Sequence, residues 1–125
     1  MSKENVELLR GAFAAFNRRD LAAFFESFHP ELTYRNREDE PDVRTYRGIA
    51  EYREYVASWL NMFDELQFED VVLDAVADYV IATAELCGLG RDTGADVRGR
   101  YVFLLEFRDG LIVHGREYAT TEEAC

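Results

Sequence analysis

Few side chains in this 125-residue chain stand where proton chemistry needs them, and Glu117 is the first. It closes a run, VRGRYVFLLEFRDGLIVHGREY (97–118), in which two strand-like stretches meet at Asp109-Gly110, a dipeptide suited to the positive φ angles of tight hairpin turns. On the return stretch the two-residue period puts Glu117 on one face with Val113 and Gly115, while His114, Arg116 and Tyr118 fall opposite. A carboxylate on the apolar side of a half-buried strand is costly unless it is paired or protonated, and carboxyl groups held this way are the ones that become acids and bases. The structural alternative is a cross-strand ion pair with Arg98 or Arg100. Glu85 alternates with Thr83 and Cys87, a pattern that suits a pocket wall or a solvated strand.

The remaining polar residues point away from other chemistries. His114 falls on the face opposite Glu117, and His29, beside Pro30, reads as a helix-ending residue near the last carbonyls. Cys87 and Cys125 have neither the number nor the spacing of a disulfide framework or a zinc site. The loop Gly88-Leu89-Gly90-Arg91-Asp92-Thr93-Gly94 is glycine-rich like a phosphate cradle, but it joins two strands and lacks the helix N-terminus that such cradles use. The acidic run Glu38, Asp39, Glu40 and Asp42 is broken by Pro41 and has no calcium-loop spacing, so it reads as a solvated loop. Without metal-ligand spacing or a nucleophile elbow, the expected chemistry uses no metal and no cofactor.

The elements that must position these residues follow from hydrophobic period. From Ser2, Val6, Leu9, Phe13 and Phe16 recur at helical spacing to about Asn17. Asp20 can cap a second, short helix carrying Leu21, Phe24, Phe25 and Phe28, which His29-Pro30 should stop. Glu31 to Asn36 reads as a short strand, and the charged segment after it as a surface loop. Gly48 precedes a third helix with Ile49, Tyr52, Val56, Trp59, Leu60 and Phe63 on its apolar face. Strands then follow over 66–76 and 79–89, with a turn at Ala77-Asp78, before the final hairpin. Three helices with a short strand among them, then four longer antiparallel strands, predict a single α+β domain over 1–125, its helices on one side of a curved sheet.

Composition sets the bounds on partners. The chain is 48% apolar and 14% aromatic, and its nine Phe and seven Tyr supply more ring surface than packing alone requires, which suits an aromatic-lined cavity. A net charge of −11 disfavours nucleic acid and anionic membranes. The N-terminus MSKENVELLRG lacks the pattern of a signal peptide, and no apolar run approaches the ~20 residues that span a bilayer, so a cytoplasmic protein is expected.

Four segments, FAAFNRRDL (13–21), FHPELTYR (28–35), YRGIAEYREYVASWL (46–60) and FRDGLIVHGREY (107–118), resemble the NTF2-like superfamily and in particular its SnoaL-like branch. The resemblance implies a cone with a pocket between the concave sheet and the helices, and commonly a homodimer. The apolar outer-face residues Val102, Leu104 and Tyr118 would suit such a dimer. Relatives span isomerases, cyclases, epoxide hydrolases and non-catalytic proteins, so each reaction is read at its own residues. The places of the ketosteroid isomerase oxyanion donors and base hold Phe13, Phe103 and Asn36, none of which ionises. The Tyr-x-Asn pair and late base of limonene-type epoxide hydrolases match Tyr34-Arg35-Asn36 and Glu117, but their Arg-x-Asp pair is replaced by Thr83-Ala84-Glu85.

By that likeness Glu117 is the base, Tyr34 and Asn36 hold a water or hydroxyl, Glu85 is the acid, and Arg100 could stand in for the missing arginine. Phe13, Phe16, Trp59, Phe63, Tyr101 and Phe103 would line the site of a small, apolar, oxygenated ligand. The expected reaction is epoxide opening or hydrolysis, cyclisation or isomerisation. The competing expectation is a non-catalytic domain that binds a ligand or dimerises.

Overall fold

The computed structural model describes residues 2–40 and 43–119. Pro41, Asp42 and Cys125 lie outside them. The apolar stripe from Val6 to Phe16 forms α1 (Ser2–Asn17), and α2 (Leu21–Phe25) begins where the Asp20 carboxylate accepts the Ala23 N–H at 3.2 Å. Capping by a short acid in this way offsets one of the unpaired amides of the first turn. The second helix ends earlier than its apolar spacing suggested. Phe28 already belongs to β1 (Phe28–Arg35), because Phe28 pairs with Ile112 and the Ile112 N–H donates to Ser27 O at 2.9 Å. His29 therefore sits in a strand and not at a helix end; its Nδ1 accepts the Glu31 N–H at 3.0 Å.

After the acidic loop comes a strand the sequence pattern did not signal, β2 (Thr45–Arg47), too short and too charged to show a period. Then follow α3 (Gly48–Met62), β3 (Phe63–Val76), β4 (Tyr79–Gly90), β5 (Asp96–Arg108) and β6 (Leu111–Tyr118). The turn into β6 has φ 54° at Asp109 and 77° at Gly110, the pair of positive angles that the dipeptide predicts. The six strands form one sheet in the order β2-β1-β6-β5-β4-β3, antiparallel throughout except for the parallel pair β1 and β6. The three helices pack on one face of this curved sheet, which is the α+β cone expected.

Irregular backbone produces the curvature. Register slips between Asp64 and Gln67 and between Glu69 and Val72 fall where Glu65 and Asp70 adopt positive φ, and bulges of this kind bend a strand and raise its twist. The end of α1 is fastened to the bent strand. Asn17 Nδ2 donates to Phe68 O at 2.9 Å and Asn17 Oδ1 accepts the Phe68 N–H at 2.8 Å, while Arg19 donates to Leu66 O. A third slip, between Glu106 and Phe107, offsets the two-residue period of β6, so that Ile112 joins the inner wall although it is out of step with Glu117. The outer-face Val102 is only 1% exposed within a single chain, so it offers no free apolar surface. Among the described residues no helix is long and apolar enough to cross a membrane.

Candidate acid-base site

Between the helices and the sheet lies a cavity of about 80 Å³, room for several waters or the compact part of a small ligand. Its walls are nearly all carbon. Helix α1 contributes Phe13 and Phe16, α3 Tyr52, Tyr55 and Trp59, β3 Leu66 and Phe68, β5 Tyr101 and Phe103, and β6 Ile112 and Glu117. Five of the six aromatic residues expected around a ligand thus line it. Phe63 does not: it stacks on Trp59, centroids 5.4 Å apart, and faces an adjoining outer hollow of about 260 Å³. Trp59, Leu66, Leu86 and Tyr101 border both spaces, so the hollow adjoins the inner cavity.

Glu117 is the charged-type residue of the inner cavity and is 5% exposed. It stands opposite Phe103 on the inner face of the sheet, as its parity in β6 requires. No ion pair with Arg98 or Arg100 forms. Instead, Tyr34 Oη donates to Glu117 Oε2, and Tyr55 Oη lies 2.9 Å and 3.1 Å from the two carboxylate oxygens. The Tyr34 ring reaches this position because it lies flat over Gly115, its neighbour in the β1–β6 register; a Cβ there would stand 2.6 Å from Tyr34 Cδ2. Behind the two phenols, the Tyr52 ring packs on Tyr34 with centroids 4.5 Å apart, and Trp59 meets Tyr55 edge to face at 6.4 Å.

Burial dominates the electrostatics. It pushes the Glu117 carboxyl up from 4.5 to about 8, against the phenol bonds and the Arg37 backbone N–H that favour the carboxylate, and with the Glu40 carboxylate adding to the rise. At neutral pH Glu117 therefore holds its proton and can give it to a ligand oxygen; above about 8 it becomes a base stronger than an ordinary glutamate. The same burial raises Tyr34, Tyr52, Tyr55 and Tyr101, which stay neutral hydrogen-bond donors.

The other predicted site residues divide. Asn36 is 3% exposed, but its amide serves the following loop: Oδ1 accepts the Arg44 N–H at 2.9 Å. Glu85 is corrected outright. It faces the other side of β4, where its carboxylate meets Arg98 Nη1 at 3.2 Å, and it shares no space with Glu117. Arg100 is exposed and offers only its carbonyl, to Arg37 Nη1 at 3.0 Å. His114 faces outward and bonds Thr33, as its parity indicated.

Two participants were not legible. Tyr55 sits at i+3 from Tyr52 and i−4 from Trp59, a spacing that could have placed it on the buried face of α3. Glu40 had no such signal: it comes from the acidic loop, and only the fold of that loop brings it to 3.5 Å from both the Tyr55 and Tyr101 hydroxyls. Among the described residues, no group of three or more His, Cys, Asp or Glu is placed to hold a metal ion.

Comparison with known proteins agrees with this architecture. Residues 9–115 match the SnoaL-like domain family, and no curated protein matches the chain. Among solved structures, a candidate polyketide cyclase from Xanthomonas campestris pv. campestris is 19% identical, with a TM-score of 0.82 and 98% of this chain and 95% of that one covered. An NTF2-like protein from Burkholderia thailandensis E264 is 25% identical, with a TM-score of 0.81 and coverage of 94% and 92%. A protein of ketosteroid isomerase-like fold from Catenulispora acidiphila, solved in complex with trimethylamine, is 18% identical, with a TM-score of 0.77 and coverage of 90% and 84%. At such identities, structural likeness establishes the fold and leaves the reaction open. With the family match running from α1 into β6 and the cone built as that fold requires, the chain belongs to the SnoaL-like domain family.

Proposed function

We propose that this protein is a cofactor-independent acid-base enzyme acting on a small, largely apolar oxygenated molecule, by epoxide opening or hydrolysis, cyclisation or isomerisation. One observation carries the reading: an ionisable carboxyl, Glu117, is buried at the polar end of an otherwise carbon-lined cavity and is held by two phenols. A purely structural core would gain more from an apolar residue there, because a buried ionisable group costs free energy that packing does not return. The apolar body of the substrate fills the space between Phe13, Phe16 and Phe103, and its reacting oxygen meets Glu117. Glu117 gives a proton at neutral pH and accepts one above about 8, while Tyr34 and Tyr55 fix its orientation. That structural relatives include a candidate cyclase and a protein solved with trimethylamine is in keeping with a small ligand.

The test is turnover of a panel of small epoxides and hydroxylated enones by wild type and Glu117→Gln. Loss of about 10²-fold or more in kcat/KM for any turned-over compound is expected. Unchanged turnover refutes the reading. The narrowness of the cavity favours one alternative, a binding domain without chemistry, in which the panel binds and nothing is turned over. A homodimer is part of the proposal, with the half-buried Leu104 and Tyr118 on the outer face of the sheet; a one-subunit mass by light scattering at micromolar concentration would count against it.

A further inference from the structure

The acidic loop does more than cover the cone. Glu40 turns back toward Glu117, half-buried, and is anchored there: the Arg37 backbone N–H donates to its Oε1 at 3.2 Å, and the nearby Asn36 side chain favours its carboxylate. The Tyr55 hydroxyl lies 2.9 Å from Glu117 Oε1 and 3.5 Å from Glu40 Oε1, so one phenol addresses both carboxyls. The Arg37 backbone N–H, bonded to Glu40, also lies near enough to favour the Glu117 carboxylate. Among the described residues, neither acid is ion-paired to a guanidinium. The Arg37 guanidinium is ion-paired to Asp39, bonded to the Arg100 carbonyl and 4.7 Å over the Tyr101 ring, and its charge favours the Glu40 carboxylate from there. Glu117 closes the inner cavity and Glu40 borders the outer hollow, so a ligand spanning the two spaces passes both.

We propose that Glu40 is the second catalytic carboxyl of this site, sharing one exchangeable proton with Glu117 through the Tyr55 hydroxyl. Two carboxyls in one poorly solvated place do not both ionise readily, so around neutral pH the pair holds a single proton. The more buried Glu117 keeps it, and Glu40, nearer solvent, is the carboxylate.

The proposal rests on the acid-base reading above and assigns its two roles. Glu40 takes the O–H proton of the nucleophile, a water or a hydroxyl of the substrate, as that oxygen forms its new bond to carbon. The carbon–oxygen bond to the departing oxygen breaks, and its electron pair takes the proton of Glu117. Glu40 is then protonated and Glu117 ionised. Glu40 returns its proton to Tyr55 Oη while the Tyr55 O–H proton passes to Glu117, which restores the starting state with no net gain or loss of protons. A substrate that fits has a compact apolar body inside and its reacting oxygens at the junction lined by Tyr55, Trp59 and Tyr101.

The groups facing the pair are Tyr34 from β1, Arg37 and Asp39 from the loop, Tyr52 and Tyr55 from α3 and Tyr101 from β5. The deciding experiment is a pH titration of ¹³C-labelled glutamate carboxyls by NMR, on wild type, Glu40→Gln, Glu117→Gln and Tyr55→Phe. Sharing predicts that Glu40→Gln lowers the Glu117 midpoint by about one pH unit or more, while Glu117→Gln does not lower the Glu40 midpoint, because Glu40 ionises while Glu117 still holds its proton. Tyr55→Phe should change both midpoints. A Glu117 midpoint that does not fall when Glu40 is removed overturns the proposal whatever the substrate is.

Hydrolysis of cyclohexene oxide is the second arm. Loss of about 10²-fold in both Glu40→Gln and Glu117→Gln supports the two-carboxyl assignment. Loss in Glu117→Gln alone overturns the role of Glu40 and leaves the acid-base reading standing. Activity retained in Glu117→Gln refutes that reading itself, and the titration then decides the pairing by itself.

Discussion

Replacing Glu117 by Gln should change the pH dependence of stability more than stability itself. In the folded protein burial raises the carboxyl from 4.5 to about 8, whereas in the unfolded chain it titrates near the ordinary value. Below pH 4.5 both states hold the proton and Glu117 costs nothing in charge. As pH rises through the interval between the two values, the unfolded chain releases its proton first, so the folded state is progressively penalised; above about 8 both have released it and the penalty stops growing. At about 1.4 kcal/mol per pH unit, the span from 4.5 to about 8 gives a ceiling near 5 kcal/mol, a large fraction of the 5–15 kcal/mol by which domains are typically stable. Gln keeps the shape and the acceptor oxygen for Tyr34 or Tyr55 and cannot ionise.

Urea unfolding of both proteins at pH 5 and pH 9 reads this directly. Because all other groups are common to both proteins, the quantity to compare is the variant's stability minus the wild type's at each pH. That difference should rise toward pH 9 by several kcal/mol. A difference that is constant with pH, or that moves against the variant, would refute the claim that Glu117 is buried without a cationic partner.

Three further outcomes follow from particular contacts. Gly115→Ala would put a methyl 2.6 Å from the Tyr34 ring, so it should destabilise by about 2 kcal/mol or more and lower turnover by pushing Tyr34 off Glu117; thermal melts and kinetics check both. Tyr34→Phe removes a donor to a buried acid, with an expected cost of about 1–3 kcal/mol and a Glu117 midpoint that moves higher still, measurable by carboxyl NMR. Glu85→Gln breaks only a half-exposed bridge to Arg98, and should shift stability by no more than about 1 kcal/mol while leaving turnover as it was.

Much of this molecule is written locally in its sequence. Period-3.6 stripes define α1 and α3, alternation defines β4 to β6, and Asp109-Gly110 sets the last hairpin, because each depends on neighbours close along the chain. The inward aim of Glu117 follows from the same parity, and so does the outward aim of His114. Glu85 shows where parity runs out: alternation says that a residue shares a face with Thr83 and Cys87, but not which face becomes the inside of the cone.

The rest belonged to tertiary structure. β2 is only three residues long and charged, so its strand state comes from pairing with β1 and not from its own composition. Ile112 turns inward only because β5 and β6 slip register against each other. Glu40 belongs to a run that reads as solvent-facing in any local window, and it meets Glu117 because Asn36 and the Arg37 amide fold the loop back over Tyr55. The sequence by itself determined every element but β2, and one buried acid, since those rest on short-range spacing. Only the closed cone decided which second acid stands beside it, since two residues 77 positions apart meet through contacts that no local pattern encodes.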